Sequence, residues 1–277
     1  MTGVAGRLAA VLAAHPPTDA WASRLACGPS GEEDGAPWSR LGTPDAALAE
    51  SWLAAEMECE RHRGMDAKAA AAYLAGRLGA ALGAWLVRLH YGGLAALAAP
   101  WARCRLVPWQ HEGASGVSPV FDLRIDPDAL APSDGSCPDA LRDLGLGLAA
   151  FVRPLIQDVQ ASTRLPAAAQ WRQVSDGLAN AFLEHGKAHG CVERTMADAR
   201  AAIAAPSPLW NRQVGFVEMR LPDEGGCAGA CEWVQARGGC CRYYTLDGGT
   251  YCPTCVHRDP ESRCALFVAC ARARTAG

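Results

Sequence analysis

The chain has 277 residues, half of them hydrophobic, enough for one large core or one core with an appendage. A formal charge of −3 carries no global signal for nucleic-acid or membrane binding. Thirteen cysteines are many, and odd in number; a secreted disulfide framework would be shorter and would follow a secretory signal, so the thiols are expected to be reduced.

Leu8 to Ala14 imitates the apolar core of a signal peptide. The run is short and leads directly into His15-Pro16-Pro17, so it reads as an amphipathic first helix. Residues 28–37 are loop by composition. Thr43-Pro44-Asp45 signals a helix start, with the helix running to about Arg63. A second helix begins near Met65-Asp66 and continues to about His90; its apolar stretch Leu78–Val87 is too short to span a bilayer and is expected to be buried. Gly92-Gly93 breaks it, and a further helical stretch is expected to end at Pro100.

Strand signals follow. Between Val120 and Asp126, Phe121, Leu123 and Ile125 alternate with Asp122, Arg124 and Asp126, which is the period of a half-buried strand. Leu106–Trp109 is placed opposite it as a hairpin across the 113–116 loop. Cys137-Pro138-Asp139 opens a helix to about Ser162, with Pro154 as a candidate bend. Another helix covers Pro166 to Lys187, and residues 213–221 read as a strand or a short helix.

Beyond Pro222 the texture becomes Gly- and Cys-rich, and this tail holds eight of the thirteen cysteines. The expected fold is α+β: a predominantly helical body with a small antiparallel sheet over 1–222, and a C-terminal cysteine-rich module over 223–277.

Within that tail, Cys240-Cys241, ten residues and Cys252-Pro-Thr-Cys255 place four thiols in one metal-sized cluster. Thiolates are soft ligands that select zinc, copper(I) or iron–sulfur clusters. A structural zinc site usually draws two Cys-x-x-Cys knuckles, and here the first is missing. A [2Fe-2S] cluster needs four thiolates, two per iron. Adjacent cysteines diverge in regular structure, so the backbone at Cys240-Cys241 must be irregular, which Gly238-Gly239 would permit. Spacing alone leaves metal binding and buried structural thiols both open.

Cys-Cys-x10-Cys-x2-Cys near a C-terminus resembles the FhuF-type ferric-siderophore reductases. The flanking text, Arg237-Gly-Gly before the pair, Arg242-Tyr243-Tyr244 after it and Tyr251 before the knuckle, is similar too. The segment Leu165 to Ala181 around Trp171 carries a weaker likeness. The resemblance implies a [2Fe-2S] cluster on Cys240, Cys241, Cys252 and Cys255. It implies one-electron reduction of siderophore-bound Fe(III), releasing Fe(II) for iron assimilation.

The expected partners are a ferric siderophore and an external electron donor (flavin-, NAD(P)H- or ferredoxin-linked), since no nucleotide-binding motif is present; no nucleic acid is expected. A cytoplasmic location is expected, with loose association with the inner membrane left open and no transmembrane segment. A zinc-stabilised interaction module and an iron–sulfur carrier or sensor with a protein partner are the alternatives.

Arg237, Arg242, His257, Arg258, Arg263, Arg272 and Arg274 outnumber Asp247, Asp259 and Glu261 around the module. That excess reads equally as an attractor for an anionic complex or as a solvated surface. Cys227 and Cys231, at i, i+4 spacing, are candidates for local packing, a disulfide or a metal site. Cys264, Cys270, Cys27, Cys59, Cys104, Cys137 and Cys191 are expected in the core. His185 and His189 would share a helix face as zinc ligands do, but Gly186 and Gly190 suggest a helix end, where histidines are favourable. Trp109 and His111 are candidates for edge-strand packing or for lining a cleft.

Overall fold

The computed structural model describes residues 3–14, 23–25, 38–96, 101–110, 117–134, 138–204, 206–220 and 231–275. The expected loop at 28–37, the hairpin tip with His111, and Cys27, Cys137 and Cys227 lie outside the described residues. The fold is α+β and mostly helical.

Helix α1 (Val4–Ala14) buries Leu8 and Val11. Strands β1 (Ser23–Leu25) and β2 (Ser39–Arg40) precede α2 (Ala46–Cys59). The Asp45 side chain caps α2 by accepting from Leu48 N at 2.9 Å, which fixes where the helix begins. Asp66 does the same for α3 (Ala67–Tyr91), accepting from Ala69 N at 2.6 Å. By length and composition α3 could cross a membrane, yet 72% of its most apolar window is buried inside the protein. It is the central core helix, as its all-round apolar surface requires.

The helix expected to end at Pro100 does not form where it is described. Leu94–Ala96 is strand β3, because the chain reverses at Gly92-Gly93, with Gly93 at φ 73°. Strand β4 (Ala102–Gln110) and β5 (Val117–Ile125) make the expected hairpin, with Leu106 opposite Phe121. Strand β6 (Leu130–Pro132) pairs with β3. The larger sheet runs β1-β5-β4-β2 and is not wholly antiparallel, since β1 lies parallel to β5. Phe121 and Leu123 are fully buried as the alternation predicts. Asp122, expected to face out, is buried as well, because Arg105 Nε reaches its carboxylate at 3.0 Å.

Helices α4 (Pro138–Thr163, with Pro154 inside it), α5 (Ala167–His189) and α6 (Val192–Ala202) complete the helical layer. α5 stops at Gly190 in the left-handed conformation, as the glycine after the histidines suggests. Within 213–221, Gly215–Arg220 form strand β7, paired antiparallel with β8 (Cys231–Ala236), and α7 (Pro260–Thr275) is the last described element.

α3 and α5 meet through glycines. A Cβ on Gly79 would lie 2.6 Å from Val174 Cα, and one on Gly83 would lie 2.9 Å from Leu178 Cα. This close crossing fixes the register of α5, and α5 carries the polar residues that hold the cysteine segment.

Candidate functional site

β8 ends at Ala236 and the chain enters the cysteine segment without regular structure as far as Arg242. Gly238 and Gly239 permit this by lacking side chains, and neither adopts positive φ. A Cβ on Gly238 would meet Asn211 Nδ2 at 2.1 Å; one on Gly239 would meet Gln173 Nε2 at 2.7 Å and Asp176 Oδ2 at 3.0 Å. The left-handed residue is Arg242, at φ 62°, immediately after the cysteine pair. A 3₁₀ turn over 243–245 and the Gly249 N–H to Leu246 carbonyl bond (2.8 Å) then fold the loop back. Arg237 N donates to the Thr254 carbonyl at 3.4 Å, tying the first half to the closing knuckle, where Cys255 N donates to the Cys252 carbonyl at 3.0 Å.

The two halves thereby bring their sulfurs together. Cys241 hydrogen-bonds to Cys252, which pushes the Cys241 thiol up, burial adding to the effect. The same bond lowers Cys252 to about 7, against its desolvation and helped by Arg237 and Thr254. Burial raises Cys255, which also interacts electrostatically with Cys240 and Cys241.

Each sulfur has a donor two residues further on. Arg242 N lies 3.4 Å from Cys240 Sγ, Tyr243 N serves Cys241, Thr254 Oγ1 lies 3.8 Å from Cys252 Sγ, and His257 N serves Cys255. Donors aimed at sulfur favour thiolate over thiol.

Among the described residues no three His, Cys, Asp or Glu side chains close around one point tightly enough for a single metal ion. A two-iron cluster divides its ligands, two per iron, and needs a broader set than a one-ion cage. The donor chemistry fits such an anionic group. Gln173 Nε2, Arg242 Nε and Arg263 Nε are buried without a hydrogen-bond partner, and all three side chains lie in or against this segment. Buried unpaired donors are costly, and a bound anionic group would give them a counterpart.

The support comes from α5. Asp176, 3% exposed, accepts from Gly238 N at 2.8 Å, Gly239 N at 2.9 Å and Arg237 Nε at 3.3 Å. Burial raises its carboxyl to about 6, with Arg237 and the two amides pulling the other way. Gln173 Oε1 accepts a short hydrogen bond from Arg237 Nη2, and Gln235 Nε2 donates to the Asp176 carbonyl at 2.8 Å. None of these α5 residues stood out in the sequence. The available signal was a polar stripe, Gln170, Gln173 and Asp176, on an otherwise buried helix.

The other candidates are placed elsewhere. Cys231 opens a strand and is exposed, and its i, i+4 neighbour Cys227 lies outside the described residues. Cys264 is exposed on α7, contrary to expectation, while Cys104 is fully buried and Cys59 and Cys191 are half-buried. His185 stacks on Tyr91 (4.4 Å, 7°) and lies 4.3 Å from His189, roughly 13 Å along α5 from Asp176. The charge excess is partly neutralised: Arg237 pairs with Asp176, and Arg242 pairs with Asp66 at 3.3 Å.

A cleft of about 1090 Å³ opens beside the segment. Its described walls include Tyr73 and Arg77 of α3 and Asn180 and Lys187 of α5, with Cys241 and Cys252 on the cysteine side. Arg77 pairs with Glu56 at 2.9 Å, and Lys187 pairs with Glu184 and Glu232 at 3.1 and 3.4 Å.

Four thiols with sulfur-directed donors are thus gathered on an α+β scaffold. Residues 237–257 match the family model of the FhuF 2Fe-2S C-terminal domain, and the cofactor this match indicates is a [2Fe-2S] cluster. No curated protein and no solved structure matches the chain.

Proposed function

We propose that the protein is a ferric-siderophore reductase in which Cys240, Cys241, Cys252 and Cys255 ligate the cluster. The observation that carries this reading is the cleft of about 1090 Å³ with Cys241 and Cys252 on its wall. A volume of that order suits a compact organic ligand. These four thiolates would hold the cluster, which would supply one-electron redox chemistry. Siderophores offer hard oxygen ligands that hold Fe(III) tightly and Fe(II) poorly, so one electron on the iron is enough to loosen it.

The chain's own residues shape and solvate that exchange. Tyr73 and Asn180 give the cleft an aromatic and a polar wall. The paired cations Arg77 and Lys187 leave it without a large uncompensated charge. A hydrogen-bond donor beside each sulfur would give the negative charge of a ligating thiolate a partner.

In this reading residues 1–222 supply the scaffold and one wall of the cleft, and 223–277 supply the facing wall and hold the cluster. The siderophore comes from import, the donor is external, and the reaction takes place in the cytoplasm. The test is stopped-flow reoxidation of the dithionite-reduced protein. Ferric siderophores should reoxidise it faster than generic oxidants of similar potential. Equal or slower reoxidation by every ferric siderophore tried would sink the substrate assignment and favour an electron carrier with a protein partner.

A further inference from the structure

We propose that Asp176 of α5 is a positioning residue for the cluster, acting through Arg237 and the Gly238-Gly239 turn. It would hold Cys240-Cys241 in register and place the Arg237 charge where it tunes the reduction potential. This rests on the reading of Cys240, Cys241, Cys252 and Cys255 as ligands.

The geometry is specific. Both carboxylate oxygens of Asp176 are used on the residues that immediately precede the cysteine pair: Oδ1 takes Gly238 N at 2.8 Å, and Oδ2 takes Gly239 N at 2.9 Å and Arg237 Nε at 3.3 Å. A buried carboxylate is held strongly where it can accept several such bonds, and it loses far more when they are broken than it contributes in excess. Asp176 accepts from both amides of the turn, and a Cβ at 239 would press on Gln173 Nε2 at 2.7 Å and Asp176 Oδ2 at 3.0 Å.

Arg237 then faces two ways. On one side it meets Asp176 and the Gln173 amide oxygen. On the other, it lines the same cleft as Cys241 and Cys252, one from each half of the segment. A cation near an anionic iron–sulfur centre stabilises the reduced state, while an acid neutralising that cation moderates the effect. Asp176 and Arg237 should therefore shift the potential in opposite directions.

The experiment uses the full-length, anaerobically purified holoprotein at pH 8. It reads the visible and EPR spectra, the midpoint potential by dye-mediated titration, and the far-UV circular dichroism of Asp176→Asn, Arg237→Gln and Arg237→Lys. Arg237→Gln should lower the potential, Asp176→Asn should raise it, and Arg237→Lys, keeping the charge, should lie between Arg237→Gln and wild type.

Cluster loss in Asp176→Asn with helical dichroism intact also supports the positioning role. So does cluster loss in Arg237→Gln that Arg237→Lys restores. Potentials that stay at the wild-type value, or that move the same way in Asp176→Asn and Arg237→Gln, overturn the proposal. Loss of helical structure together with the cluster in Asp176→Asn overturns it as well, since Asp176 would then be a general core residue. No siderophore enters these readouts, so they stand apart from the reductase assignment. If Cys252→Ser kept the cluster spectrum, the ligand reading itself would fail first.

Discussion

Gly79 of α3 and Gly177 of α5 face each other so closely that a methyl group on Gly177 would lie 2.9 Å from Gly79 Cα and 2.4 Å from Ala80 N. Both obstacles are backbone, so a side chain at this crossing can be accommodated only by moving one helix. Gly177→Ala is expected to destabilise the protein by about 3 kcal/mol, at the upper end of ordinary overpacking. Urea unfolding of the holoprotein measures it, and an unchanged midpoint would show that the helices slide apart cheaply. Gly177 follows Asp176 directly, so the same variant should also lower cluster occupancy.

The thiols separate into two sets. Cys252 lies in the converging group and is drawn down to about 7 by its hydrogen bond to Cys241. Cys59 is half-buried beside Glu56 and Arg77, and burial raises its thiol. Cys252→Ser is expected to remove the visible absorbance of the cluster, and Cys59→Ser to leave it intact. A Cys252→Ser protein with an unchanged spectrum and iron content would exclude Cys252 as a ligand.

The loop joining the two halves depends on one glycine for space and on another for conformation. A Cβ on Gly249 would lie 2.0 Å from the Tyr243 carbonyl oxygen, whereas Gly248 has open space around it and adopts φ 69°. Gly248→Ala should therefore cost about 1 kcal/mol of left-handed strain and retain the cluster. Gly249→Ala should open the loop and lower the iron and sulfide content of purified protein several-fold. Equal contents in the two variants would show that the loop does not hold the halves together.

The helices could be read from sequence with or without a side-chain cap, since α5 forms over its expected span with no cap bond. Asp45 and Asp66 announce α2 and α3 because the capping bond is local, three residues long. The β4–β5 hairpin was legible because alternation is local too. The Leu94–Ala96 strand was not, since its partner β6 lies more than thirty residues on and nothing in Leu-Ala-Ala excludes a helix.

The four-thiol segment could be read from spacing, and so could the need for an irregular backbone at Cys240-Cys241. How that backbone is held could not. Asp176 is 62 residues from Gly238, and an acid on a helix does not reveal which distant amides it will meet. The role of Gly238 and Gly239 was likewise hidden: composition suggests conformational freedom, while the structure uses them for close approach.

Glu56 has no exposed surface, and burial raises its carboxyl to about 7 despite the Arg77 guanidinium. The folded protein thus holds this proton more tightly than the unfolded chain does. As pH rises from about 4.5 towards 7 the unfolded chain releases the proton first, so this group's contribution to stability falls across that window. Glu56→Gln removes the titration. The unfolding free energy of wild type minus that of Glu56→Gln should decline between pH 5 and 7.5, by no more than about 3 kcal/mol. His90, lowered by burial, titrates in both proteins and cancels from the difference. A flat difference across the window would show that Arg77 keeps Glu56 ionised throughout.

Asn180 projects from the exposed side of α5 and lines the cleft without belonging to the clamp around the cysteine segment. Replacing it by a large side chain tests the cleft while leaving the cluster alone. Asn180→Trp should reduce the rate of reoxidation by ferric siderophores about tenfold, the loss of roughly 1.4 kcal/mol of docking energy. The visible spectrum and reduction potential should stay at wild-type values. Small inorganic oxidants, which can take an electron without filling the cleft, should react at the wild-type rate. If Asn180→Trp slowed both kinds of oxidant equally, the electron would leave by a path the cleft does not define. If it slowed neither, the siderophore would dock on another face.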